Sequence, residues 1–202
     1  RLPRRLSEFG IEPGKYVLFV GRLVPEKGAH YLIEAFQNVR SDMKLAVVGG
    51  MSFTEGYVNE LRKQQSDRVR MLDYVYGELL EELWSNAYMV VLPSTMEGLS
   101  IALLEALSHG RCVLMSDIPE NLEVASECAL SFRSRDIADL TEKLQRLIDD
   151  PALVKHYEGL ARQRIQEHYN WDRVVDALEK VYGALANGSA GATPVAKTAH
   201  GV

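Results

Sequence analysis

The sequence predicts an α/β fold: a doubly wound parallel sheet of about six strands with helices on both faces. Three observations predict it. Short apolar runs rich in β-formers recur along the first two thirds of the chain. Each run is followed by a stretch with helical spacing. The first run, residues 16–20, is apolar throughout, which suits a strand buried on both faces.

Residues 16–20, Tyr-Val-Leu-Phe-Val, form the first predicted strand, ended by Gly21. Residues 28–40 carry Leu32, Ile33, Ala35, Phe36 and Val39 at helical spacing. Residues 44–48 predict a second strand, closed by Gly49 and Gly50. Residues 55–65 read as a polar helix, 68–72 as a shorter third strand and 78–87 as another helix. The fourth strand, 88–92, is stopped by Pro93, and an apolar helix follows over 100–108. A fifth strand is predicted over 111–115, a short helix over 119–126 and a sixth strand over 129–132. After Asp136 the pattern is helical over 136–149, 151–168 and 171–186. Right-handed crossovers would place helices on both faces. Ligands in such sheets bind outside the carboxyl ends of the strands. The loops after Val20, Val48, Leu72, Leu92 and Met115 are therefore the places to search.

Residues 1–14 are basic and irregular, with Arg1, Arg4 and Arg5 ahead of Gly10, Pro13 and Gly14. They read as a connector entering a domain over 15–186, which implies a region before it. Residues 187–202 are mostly Gly, Ala, Ser and Thr and are expected to be a disordered tail. Of the 202 residues, 23 are Lys or Arg and 28 are Asp or Glu, a formal charge of −5. That balance lacks the footprint of a nucleic-acid binder, so no nucleic-acid partner is expected. A local basic pocket remains compatible with it. Absence of any apolar run of about 18 residues predicts no transmembrane segment. Cys112 and Cys128 lie in apolar stretches without metal-ligand spacing and read as buried free thiols in a reducing compartment.

Two loops carry the chemistry. The first is Gly21-Arg22-Leu-Val-Pro-Glu-Lys27-Gly28, at a strand-to-helix junction. Backbone amides at a helix start favour an anion, and Arg22 and Lys27 add a planar fork and a point charge. Either a phosphate pocket or two solvated charges beside a turn fits this loop. It is neither a Walker loop nor a dinucleotide turn. The second follows the fourth strand: Pro93-Ser-Thr-Met-Glu97-Gly98-Leu99-Ser100-Ile-Ala-Leu-Leu-Glu105-Ala. Glu97 and Glu105 have seven residues between them. Glu105 sits among Leu103, Leu104, Ala106 and Leu107, where a carboxylate needs a partner. Sugar hydroxyls would supply one, while helix capping by Glu97 and a solvent-facing Glu105 are the plainer alternatives.

The chain resembles the C-terminal, donor-binding domain of GT-B retaining glycosyltransferases of family four. The Gly21-Arg22…Glu26-Lys27-Gly28 loop matches its Gly-Arg…Glu-Lys-Gly motif, and Glu97…Glu105 matches its Glu-x7-Glu motif. Ser116-Asp117-Ile-Pro119-Glu120 is similar to its Ser-Asp…Pro-Glu run. Tyr169-Asn-Trp171-Asp172 is similar to its Tyr-Ser-Trp-Asp signature. The resemblance covers about residues 9–186.

That resemblance implies a Rossmann-like fold forming half of a two-domain enzyme. Its substrate would be a nucleotide-diphosphate sugar, UDP- or GDP-linked, used in bacterial polysaccharide or lipopolysaccharide assembly. Arg22, Lys27 and Glu97 would be the catalytic set: Arg22 and Lys27 on the diphosphate, Glu97 on the donor sugar. Gly21, Gly98, Leu99, Ser100 and Glu105 would bind the donor, with Glu105 on the ribose. Tyr74 and Val75 would lie against the nucleobase. No metal is expected, in agreement with the absence of an Asp-x-Asp motif. An N-terminal acceptor domain outside this chain is the implied partner, and helix 171–186 would pack toward it. Localisation is expected to be cytoplasmic, with peripheral contact at the inner membrane face assigned to that other half. Asp73 stands where the family usually has glycine, and Gly110-Arg111-Cys112 lacks the usual proline. His30, His109, His156, His168 and His200 form no evident pair, and Trp84 and Trp171 read as packing residues. A non-catalytic sugar-nucleotide module and an epimerase of the same fold are the alternatives.

Overall fold

The computed structural model describes residues 5–50, 55–168, 175 and 178–183. Six strands form: β1 (Tyr16–Val20), β2 (Lys44–Val48), β3 (Val69–Met71), β4 (Met89–Leu92), β5 (Val113–Ser116) and β6 (Leu130–Phe132). Between and after them lie α1 (Ala29–Gln37), α2 (Glu55–Lys63), α3 (Glu78–Asn86), α4 (Ile101–Ser108), α5 (Pro119–Ala125), α6 (Ile137–Asp149) and α7 (Pro151–His168). The predicted alternation is what forms. The first helix is shorter than its pattern. It stops at Asn38, whose side chain donates back to the Glu34 carbonyl, while the Arg40 backbone bonds to Gln145.

All six strands join one parallel sheet in the order β3-β2-β1-β4-β5-β6. The chain winds outward from β1 to β3, then returns to lay β4 on the other side of β1. Val17 is registered with Leu45 on one side and Met89 on the other. Strand pleating sends alternate residues to opposite faces. Val17, Phe19, Val47 and Val91 join one apolar cluster with Phe36 of α1 and Leu144 of α6. Leu18, Ala46, Val90 and Leu92 are buried as well. On α3, Trp84 is buried, and Tyr16 Oη donates to the Leu83 carbonyl at 2.6 Å. Both faces are thus covered, as the all-apolar central strands β1 and β4 require.

The chain divides into two compact units, Arg1–Ile165 and Gln166–Val202. Within the first, the predicted connector packs from Arg5 on: Leu6 and Ile11 are fully buried. Within the second, residues 178–183 are helical, and Val175, Leu178, Val181 and Tyr182 are exposed. Residues 1–4, the Tyr169–Asp172 signature with Trp171, and the predicted tail 187–202 lie outside the described residues.

Gly28 couples the fold to the loops above the sheet. Its φ is 71°, and a Cβ there would stand 2.1 Å from the Pro93 carbonyl oxygen. Side chains rarely adopt that φ, and backbone cannot yield that space. Gly28→Ala is expected to destabilise the chain by more than about 1 kcal/mol. The check is a lowered urea midpoint.

Candidate functional site

The strand order opens a crevice at the C-terminal edge of β1 and β4. These two neighbours send their connections in different directions. Immediately after β1, the Gly21 amide donates to the Val48 carbonyl at 3.0 Å. A 3-10 turn over Pro25–Lys27 follows, and Pro at its first position is pre-set for that geometry. After β4, the chain runs through Pro93 to Ser100, which starts α4. The Thr95 amide donates to the Glu26 carbonyl at 2.8 Å, tying the two loops together.

Across that junction Lys27 meets Glu97. The Lys27 ammonium donates to both carboxylate oxygens, at 2.7 Å to Oε1 and 2.6 Å to Oε2. Ser94 Oγ donates to Oε1 at 2.6 Å. The Glu97 side chain is only 6% exposed and that of Lys27 22%. A carboxylate so enclosed needs such partners, because losing water without replacement costs several kcal/mol. Arg22, by contrast, is exposed and makes no ion pair among the described residues. The crevice therefore holds one paired cation and one free one.

Gly21, Arg22, Lys27, Glu97, Leu99 and Ser100 line a cleft of about 210 Å3. Arg22, Lys27 and Glu97 also open toward Met96 and Gly98. A Cβ at Gly98 would meet nothing within 4 Å, so this glycine leaves backbone open to solvent rather than relieving a clash. The amides of Gly98, Leu99 and Ser100 donate no hydrogen bond among the described residues. Free amides ahead of a helix attract an anion. Apart from Met96, sequence reasoning named these residues, and the fold brings them together.

A second cleft, about 200 Å3, adjoins the first through Gly21. Val20, Val48, Gly49, Tyr74, Val75, Tyr76 and Leu80 line it. The rings of Tyr74 and Tyr76 stack with centroids 6.0 Å apart. Tyr76 was not singled out from sequence; its signal was the Tyr-x-Tyr alternation. Asp73, in the place of the expected glycine, adopts φ 49°. Aspartate tolerates that region better than most side chains. Its carboxylate accepts from Arg62 at 2.7 Å, and its carbonyl accepts from the Gly49 amide at 2.9 Å.

Glu105 stands apart from this group. It lies half-buried on α4 and lines neither cleft. Burial pushes its carboxyl above the usual range, the positive influence of His109 opposes that, and Glu81 adds to it. Glu81 follows Leu80, a lining residue of the second cleft. No ion pair or hydrogen bond holds the Glu105 carboxylate among the described residues.

Sequence reasoning quoted Ser94 and Ser116 inside motifs but gave them no role, and it missed Asn121. All three are buried polar residues. The remaining candidates have plain roles. His30 pairs with the Tyr57 hydroxyl at 2.8 Å, and His109 contacts Ser85 and Glu81. Cys112 is free, and burial pushes its thiol up to about 12. No cluster of three metal-ligating side chains exists among the described residues.

This is the Rossmann-like architecture of GT-B glycosyltransferase structures. The chain belongs to the family described as Glycosyl transferases group 1, whose model matches residues 14–150. It is 28% identical over 194 residues to an alpha-maltose-1-phosphate synthase of Mycobacterium tuberculosis, covering 88% of this chain and 50% of that protein. It is 30% identical over 178 residues to a glycogen synthase of the same organism, covering 85% and 43%. Anabaena Alr3699/HepE, solved in complex with UDP and glucose, superposes with a TM-score of 0.80 at 20% identity, over 92% of this chain and 52% of that one. The chain thus spans about half the length of the curated relatives it matches.

Two outcomes follow from the geometry. Lys27→Met is expected to cost about 1–3 kcal/mol, since it strips a buried carboxylate of its cation. Adding Glu97→Gln should recover part of the loss, which a double-mutant denaturation cycle would read as coupling. Glu105→Gln should raise thermal stability at neutral pH. Because the folded carboxyl titrates above its unfolded range, the wild type regains stability as pH falls through the carboxyl range. The difference between the two should therefore shrink in acid.

Proposed function

We propose that the chain is the donor-binding half of a retaining glycosyltransferase. The enzyme would move a hexose from a nucleotide-diphosphate sugar to an acceptor in glycan assembly. The observation that carries this reading is the Lys27–Glu97 pair beside the unpaired Arg22. One crevice thereby offers cations for a diphosphate and a fixed carboxylate for sugar hydroxyls.

In this reading the first cleft takes the diphosphate and sugar, and the second takes the base. Arg22 and Lys27 hold phosphate oxygens. The amides of Gly98, Leu99 and Ser100 receive sugar and phosphate oxygens, and Glu97 accepts from donor hydroxyls. Tyr74 and Val75, with Tyr76, cover the base through apolar contact and stacking. Glu105, on α4 beside the clefts and not in their lining, is assigned the ribose hydroxyls, which requires its side chain to swing toward the bound donor. As the bond from the anomeric carbon to phosphate oxygen breaks, its electron pair moves to the nucleoside diphosphate. Cations seated on the diphosphate before the bond breaks stabilise that growing charge. The acceptor hydroxyl gives its proton to the departing phosphate oxygen and bonds to the anomeric carbon on the face the nucleotide leaves, which retains configuration. Arg22 and Lys27 supply the positive charge at the diphosphate, so the proposal assigns no metal.

Acceptor binding falls to another half of the enzyme, so this chain alone should bind the donor without transferring sugar. No described helix is long and apolar enough to cross a membrane. Cytoplasmic placement, with peripheral membrane contact through the other half, belongs to the proposal. The names of the relatives, a synthase of maltose phosphate and one of glycogen, favour transfer over epimerisation or binding alone.

Calorimetric titration with UDP, GDP and ADP tests the reading. One of the three should bind, and Arg22→Ala should weaken it about 10-fold, the worth of a charge-assisted hydrogen bond. Heat from none of them, or an unaltered affinity in Arg22→Ala, would sink it.

A further inference from the structure

Glu97 is held from two directions that differ in kind. Lys27 grips both oxygens. Ser94 Oγ grips Oε1 alone. An ammonium has three donors and a flexible stem, so a phosphate can draw it away from a carboxylate. Under the donor-binding reading, on which this inference rests, Lys27 must share itself with the diphosphate when the donor enters. Its two-point hold on Glu97 then loosens at the moment Glu97 has to face the sugar.

The Ser94 hold has no such conflict. Ser94 is 3% exposed at the end of β4. Its carbonyl accepts from the Ser116 hydroxyl, at the end of β5. Asn121, on α5, donates its amide to the Ser116 carbonyl at 3.2 Å and the Ser116 hydroxyl at 3.1 Å. Ser116 and Asn121 are 0% and 1% exposed. A buried polar chain thus runs from α5 across the strand ends to one oxygen of Glu97. Bonds shielded from water in this way are stronger and less mobile than surface ones.

We propose that Ser94 is the positioning residue for Glu97: it keeps Oε1 occupied when Lys27 turns to the diphosphate, and so leaves Oε2 aimed at a donor-sugar hydroxyl. Ser94 lines the same cleft as Glu97, but its one hydroxyl proton is committed to Glu97 Oε1. It acts through Glu97, so its loss should be felt by the sugar and not by the phosphates.

The test compares each diphosphate with its sugar derivative on the full 202-residue chain: UDP with UDP-glucose, GDP with GDP-mannose, ADP with ADP-glucose. For the pair that binds, Ser94→Ala should leave diphosphate affinity within about twofold and weaken the sugar nucleotide by about 5-fold or more. Ser94→Thr, which keeps the hydroxyl, should hold the wild-type ratio. Retained diphosphate binding also reports that the variant cleft is folded. Equal losses for both ligands would mark Ser94 as merely structural and overturn the proposal. An unchanged ratio in Ser94→Ala, or a ratio lost equally in Ser94→Thr, would overturn it too. A wild type that binds no pair overturns the donor-binding reading and this inference together, whereas a wild type that binds, with Ser94→Ala unchanged, overturns this inference alone.

Discussion

The pairing of β1 with β4 is the constraint on which the rest depends. Val17 against Met89 and Leu18 against Val90 is a short register. It places the ends of two strands side by side, although more than sixty residues separate them in the chain. Everything at the crevice follows. The Gly21–Gly28 loop rises from one strand, the Pro93–Ser100 loop from the other, and the Glu26–Thr95 bond closes the gap between them. Gly28 completes the join by letting the Pro93 backbone come within a distance that no side chain allows.

Charge is then distributed unequally in the crevice. Lys27 and Glu97 neutralise each other in a place with little water, where neither would be comfortable alone. Arg22 stays exposed on the same loop. Under the donor-binding proposal, an incoming anion would meet the free cation first and recruit the paired one after it. The net charge of −5 is irrelevant at this scale, because screening confines such effects to about 8–10 Å at ordinary ionic strength.

Two positions qualify the family resemblance. Asp73 replaces a glycine without losing the backbone shape: it adopts φ 49° and is braced by Arg62. The loop thus keeps Tyr74 and Val75 on the second cleft despite the substitution. Glu105 is the opposite case. Its motif spacing is intact, yet it lies outside both clefts, half-buried and without a bonded partner. Local spacing placed it on the helix that borders the first cleft, and its ribose role stays a proposal.

Periodicity made the fold legible. The apolar central runs, β1 and β4, could be buried only on two faces, and the helical stretches between strands supplied both cover and parallel crossovers. Loop composition likewise marked Arg22, Lys27, Glu97 and the open amides after it. Hydrogen bonds over long separations were not legible. Lys27 and Glu97 were each read as ligand groups, and nothing local announced that they hold each other. Ser94, Ser116 and Asn121 looked like ordinary polar residues until the strand ends brought them together. The sequence by itself determined which segments are strands, which are helices and which loops carry charge, because those depend on neighbours a few positions away. Strand order decided which of those loops meet, and only the packed sheet sets strand order.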